Sequence, residues 1–151
     1  MPRKYHVLTL LVIVLLIAVG CGMSTEQEAD PSRPDAPPEV GSDFRADSVT
    51  FVGNTENPQF IKFFAYWCTV CKAMKPVVYE LEGEYWGQID FIYLDIDDPA
   101  NNEAMNKYNF TAQPLFVLQT VEGEELERWL GYVDEADFRL AFDNLLSTAS
   151  R

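Results

Sequence analysis

From about residue 44 onward the apolar positions follow two periods. Gln59 to Ala65 (QFIKFFA) is apolar almost throughout, the pattern of a strand buried on both faces, and Ile89 to Ile96 (IDFIYLDI) reads the same way. Ser48 to Val52 is a shorter strand candidate, followed by a turn-rich break from Gly53 to Pro58. Between the two long runs, Val77, Val78, Leu81 and Tyr85 recur at helical spacing. They predict a helix from Cys68 to about Trp86, with Pro76 inside it to kink it. Asp98 and Pro99 open a second helix over 101–108. Leu115 to Thr120 predicts a strand, Glu122-Gly123-Glu124 a hairpin turn, and Leu126 to Leu130 the partner strand. After Gly131, residues 134–146 make an amphipathic helix that turns Phe138, Phe142, Leu145 and Leu146 inward. The order β, β, α, β, α, β, β, α predicts an α/β domain with a mixed central sheet flanked by helices on both faces. Strands linked through helices are expected to run parallel, and the last pair antiparallel.

The N-terminal pattern is different. Arg3 and Lys4 precede an apolar run from Val7 to Val19, and Ala18-Val19-Gly20 sets small residues before Cys21. This is a secretory signal pattern, set aside from fold reasoning. Its end resembles the lipobox of bacterial lipoproteins, which implies that Cys21 is the lipid-attachment residue and that residues 1–21 are the signal peptide. The alternative is an uncleaved anchor, since Tyr5 to Met23 is long enough to span a bilayer. Either way the basic start keeps the N-terminus cytoplasmic and places the domain outside the cytoplasm, anchored to a membrane, where disulfides persist. Residues 22–43 carry prolines, acids and few large apolar side chains. They read as a disordered, semi-stiff spacer, leaving 44–151 as the folded domain.

Composition narrows the function. The chain has 151 residues, 48% of them hydrophobic with ten Phe, enough for one domain with a sizeable core. Its formal charge is −13, and every acid lies after Cys21. Such a surface repels nucleic acid, so a nucleic-acid binder is excluded.

The stretch FFAYWCTVCKAMKP holds Cys68 and Cys71. A metal site needs more ligands than two thiolates. The single histidine, His6, lies in the signal segment, so a metal centre and a histidine-dependent hydrolase are both set aside. A purely structural bridge would close a tiny loop and remove little chain entropy. A redox pair explains more. Cys68 follows a buried strand and sits on the first turn of a helix, where unpaired N–H groups and the helix dipole favour its thiolate. Cys71, one turn further in, can resolve a mixed disulfide.

At this point the segment from Gln59 to Leu146 resembles a thioredoxin domain over nearly its whole length. FFAYWCTVCK is similar to the active-site strand and helix, with Trp67 directly before the first cysteine. Pro76 matches the helix-kinking proline, and YLDIDD the next strand and turn. YNFTAQPLFV places Pro114 at the cis-proline position, and Gly131 matches a glycine facing the site. The chain is most similar to membrane-tethered, extracytoplasmic members, thylakoid-type ones with a WCxVC included. The resemblance implies a thioredoxin fold and thiol–disulfide exchange by Cys68 and Cys71 without a cofactor. It implies substrate-binding roles for Trp67, Gln113, Pro114 and Gly131. The implied partners are disulfide-containing extracytoplasmic proteins, apocytochromes among them, and a membrane electron donor that re-reduces the pair.

The chain departs from the family in three places. Thr69-Val70 stands where Gly-Pro is usual and supplies no histidine to stabilise the thiolate, which points to a reductant. Gln113 adds a polar side chain beside the proline. Lys62 stands where thioredoxins usually carry a buried acid. It is expected to extend past the helix to solvent; the alternative is that it tunes the Cys71 thiol. A domain kept only for docking a partner, or one that oxidises or isomerises disulfides, are the competing functions.

Overall fold

The structure, a computed structural model, describes residues 34–149. Residues 1–33, and with them Cys21, the signal segment and its lipobox, lie outside the described residues. Four strands form one sheet: β1 (Gln59–Phe64), β2 (Asp90–Asp95), β3 (Leu115–Gln119) and β4 (Glu125–Leu130). Three α-helices connect or follow them: α1 (Thr69–Glu84), α2 (Asn102–Lys107) and α3 (Glu135–Ala149). The strand order is β2-β1-β3-β4, with β1 and β2 parallel and the β1/β3 and β3/β4 pairs antiparallel.

Strand alternation sorts the core into two halves. Phe60, Phe64, Tyr93, Phe116 and Leu118 face α1 and α3. Ile61, Phe63, Ile92, Leu94, Leu115 and Val117 face α2 and the segment around Val49–Phe51. Helices thus cover both faces, as expected. The α1/α3 half is built around Phe60, whose ring centroid lies 5.0–5.6 Å from those of Phe91, Phe116, Phe138 and Phe142. Burying each such ring contributes about 1.5–3 kcal/mol. At the end of the sheet where β1 begins, Tyr108 Oη donates to Gln119 and Gln119 donates to Gln59, both at 2.7 Å. This chain satisfies three buried polar side chains.

Two expectations fail. Ser48 to Val52 is not a strand; Val49–Phe51 is a 3₁₀ turn, capped by Ser48 Oγ, which accepts from Thr50 N–H. Its hydrogen bonds close locally. The edge of β2 is met instead by Asp47, whose N–H donates to Tyr93 O while its carboxylate accepts from Tyr93 N–H. Second, the strands linked through helices do not all run parallel: β3 lies antiparallel to β1. The six residues of α2 rise only ~9 Å, less than half the ~20 Å of a six-residue strand. The chain crosses the end of the sheet rather than returning along it, and β3 starts where β1 finishes.

Candidate functional site

The end of β1 and the start of α1 build the site. After Phe64, Ala65 O accepts from Cys68 N–H at 3.1 Å, a tight turn into the helix. Cys68 is the N-cap of α1 rather than a member of its first turn. Its extended backbone (φ −71°, ψ 116°) turns Sγ back to accept from Cys71 N–H at 3.0 Å. One orphan amide of the helix is thereby aimed at the sulfur, a contact that favours negative charge there. The Cys68 and Cys71 sulfurs are bonded, with Cα atoms 5.2 Å apart. Cys71 is fully buried and Cys68 is 6% exposed. Thr69 and Val70 are exposed beside them, and α1 continues through Pro76 as one span.

The neighbouring elements flank this pair. Trp67 is 60% exposed, and its indole N–H donates to Asp97 Oδ2 at 2.7 Å. Asp97 follows β2, so Trp67 is held on the β2 side of the cysteines. Sequence reasoning missed Asp97, although it stands in the quoted YLDIDD turn. On the other side, the Gln113–Pro114 bond is cis, and Leu115 pairs with both Phe63 and Leu130. Gly131 adopts φ +82°, the left-handed region natural to glycine, and its N–H donates to Pro114 O at 2.9 Å. Pro114 has no N–H and its carbonyl is occupied. Pro114 thus offers no open backbone group of its own, and Gln113 is the residue on the other side of the cis bond. The exposed aromatics Tyr66 and Tyr132 are the sequence neighbours of Trp67 and Gly131.

Lys62 does not extend to solvent. It is fully buried, on the α1 face of β1 between Phe60 and Phe64. Its Nζ donates to Cys71 O at 3.4 Å and lies 5.2 Å from the ring centre of Phe44, 5.8 Å from Phe116 and 6.0 Å from Tyr93. Strand alternation requires this: a residue two positions from Phe60 and Phe64 must share their inward face. The aromatic rings on three sides leave it no route out. Burial, with the nearby Lys75 charge, lowers its pKa to about 7.

Residues 42–47 form a strap over this lysine. The Phe44 ring stacks on Phe64 at 4.8 Å. Lys75 donates to Ser42 O, and Tyr79 Oη donates to Asp43 O at 3.0 Å. Further along, Arg45 pairs with Asp47 at 2.8 Å and with the buried Glu82 at 3.0 Å, while Tyr93 Oη donates to Glu82 at 2.7 Å. Burial pushes the Glu82 carboxyl above its ordinary range even against the pull of Arg45 and Tyr93. Among the described residues no group of three or more His, Cys, Asp or Glu is placed to hold a metal, and no helix is long and apolar enough to cross a membrane.

Comparison with known proteins agrees with this geometry. The thioredoxin family model matches residues 44–142, more than half of the chain. A thioredoxin-like protein HCF164, chloroplastic, from Oryza sativa subsp. japonica is 28% identical over 93 residues, 62% of this chain and 34% of that protein. The chain thus spans about a third of that relative's length. Thioredoxin from Staphylococcus epidermidis is 30% identical over 58% of this chain and 82% of its own. The thiol:disulfide interchange protein TxlA homolog of Synechocystis is 26% identical over 86% of this chain and 69% of its own. A solved structure from work on the thiol resolving mechanism of yeast mitochondrial 1-Cys peroxiredoxin superposes with a TM-score of 0.53. It is 22% identical and covers 63% of this chain and 84% of that one, a likeness of fold. With a CxxC at the junction of β1 and α1 and a cis proline just before the neighbouring β3, the chain belongs to the thioredoxin family of thiol–disulfide oxidoreductases.

Proposed function

We propose that this protein is a membrane-tethered protein-disulfide reductase acting outside the cytoplasm. The observation that carries the reading is the position of Cys68 Sγ, which caps α1 and accepts from Cys71 N–H at 3.0 Å. In the dithiol form the same contact stabilises a thiolate at the exposed end of the helix. That thiolate attacks a substrate disulfide and forms a mixed disulfide, expelling one substrate thiolate. Cys71 then attacks Cys68 Sγ and releases the second, closing the Cys68–Cys71 bond. Trp67 and the Gln113 backbone flank the path of an extended substrate segment. The substrates are extracytoplasmic disulfide proteins, apocytochromes among them. A membrane electron donor restores the dithiol, and Cys21 carries the lipid that tethers the chain.

One observation favours the opposite direction. Lys62, buried beneath the pair, favours an anion on the cysteines when it is charged, and so favours the reduced form. A pair so biased is a better oxidant. Insulin reduction with dithiothreitol tests the exchange reading: the wild type is expected to accelerate it and Cys68→Ser to do nothing, and equal rates would end the idea. A midpoint between about −270 and −120 mV suits exchange, whereas one below about −300 mV suits an inert bridge in a docking module.

A further inference from the structure

Lys62 is a buried amine with no anion beside it among the described residues. Among the described residues no carboxylate lies within ion-pair distance of it. The groups that face it come from every element packed around it. From α1 come the carbonyl of Cys71, whose sulfur is bonded to Cys68, and the Lys75 ammonium; from β2 the ring of Tyr93; from β3 the ring of Phe116; from the strap the ring of Phe44. Two carboxylates in this half of the core, Glu82 and Asp47, are taken by Arg45 and Tyr93. With the disulfide closed, the polar partner of Nζ among the described residues is a neutral carbonyl. With it open, an anion appears at Cys68, three residues before the Cys71 carbonyl that Nζ touches. The charge demand on Lys62 differs between the two redox states, and both demands act through a dry, low-dielectric interior.

We propose that Lys62 carries one of the two protons of the redox couple: it is a neutral amine beneath the closed Cys68–Cys71 disulfide and an ammonium beneath the Cys68 thiolate. Its ordinary proton affinity is already lowered by burial to about pH 7, so a new neighbouring anion moves it within the physiological range. The dithiol form then holds its protons on Cys71 and Lys62. When Cys68 attacks a substrate disulfide, its negative charge departs on the first substrate thiolate and Lys62 loses the anion that held its proton. Cys71 gives up its own proton as it closes the disulfide. Two electrons leave the pair, and the two protons from Lys62 and Cys71 match the two substrate thiolates released. By reciprocity, whatever reduction does to the proton affinity of Lys62, protonation of Lys62 does to the tendency of the disulfide to be reduced.

This inference rests on the exchange reading but is tested apart from it. In the full chain, the Lys62 Cε and Nζ resonances, assigned through their bonds to the backbone, are titrated in the disulfide and the dithiol forms. The expected result is at least tenfold higher proton affinity in the dithiol; equal affinities, or a smaller or opposite change, overturn the proposal. A second measurement follows the equilibrium with glutathione between pH 7 and pH 8.5. Expressed as a midpoint potential, the fall with pH should follow up to two protons per disulfide reduced in wild type and one in Lys62→Met, so it is shallower in the variant; equal slopes overturn the proposal. Loss of insulin turnover with the Lys62 shift intact would remove the reductase reading and leave the proton linkage standing. Turnover without the shift would do the reverse.

Discussion

Two buried ionisable side chains in the same half of the core are treated in opposite ways. Glu82 is 1% exposed, and it accepts from the Arg45 guanidinium at 3.0 Å and from Tyr93 Oη at 2.7 Å. Lys62, on the strand between, has one long contact to a carbonyl and three aromatic faces. The first arrangement offsets much of the cost of burial and fixes the strap to α1 and β2, with Arg45 also reaching Phe91 O. The second leaves the cost in place beside a bond that changes charge when it opens. A satisfied buried charge is tied to the fold, whereas an unsatisfied one keeps a free energy that a reaction can draw on.

That contrast can be broken at either end. The largest effect is expected at the partnered site: Arg45→Met leaves the Glu82 carboxylate without its cation and should cost about 3 kcal/mol in urea unfolding of the disulfide form. A loss under about 1 kcal/mol would mean that Glu82 is held by Tyr93 alone. Next comes the pH dependence at the unpartnered site. The folded pKa of Lys62 is lowered from 10.5 to about 7, so between those values the unfolded chain binds the extra proton and stability rises with pH. From pH 7 to pH 8.5 the disulfide form should gain about 2 kcal/mol. In Lys62→Met this gain should vanish, and a gain of the same size in the variant would place its source elsewhere. The smallest effect sharpens the role of the strap. Phe44→Ala removes a stacked ring, worth about 1 kcal/mol, and lets water approach Nζ. The pH-dependent gain should shrink along with it. An unchanged gain would show that Phe116 and Tyr93 keep Lys62 dry without the strap.

Much of this was legible in the chain. The continuous apolar run of β1 and the helical spacing of α1 and α3 reflect local burial, and local burial leaves a period in the sequence. The CxxC at a strand-to-helix junction and Pro114 carried the site by resemblance. The burial of Lys62 was also available, because a strand read as buried on both faces must bury its fourth residue. What the sequence could not show is what encloses that residue. Phe44, Lys75, Tyr93 and Phe116 are distant in sequence and meet only in the fold. The 3₁₀ turn at Val49–Phe51 escaped for a related reason: Ser48 caps it, and a capped turn and a short strand share the same few apolar residues. The antiparallel entry of β3 depended on how little distance α2 covers, which no periodicity records.

The cap on α1 bears on how the chemistry can be isolated. Cys68 is both the attacking sulfur and the acceptor for the Cys71 amide. Serine at that position keeps an oxygen for the amide, and alanine leaves the amide with nothing. A thiol-free variant can therefore be made with or without its helix cap, and only the serine version separates the loss of a nucleophile from the loosening of the helix that presents it.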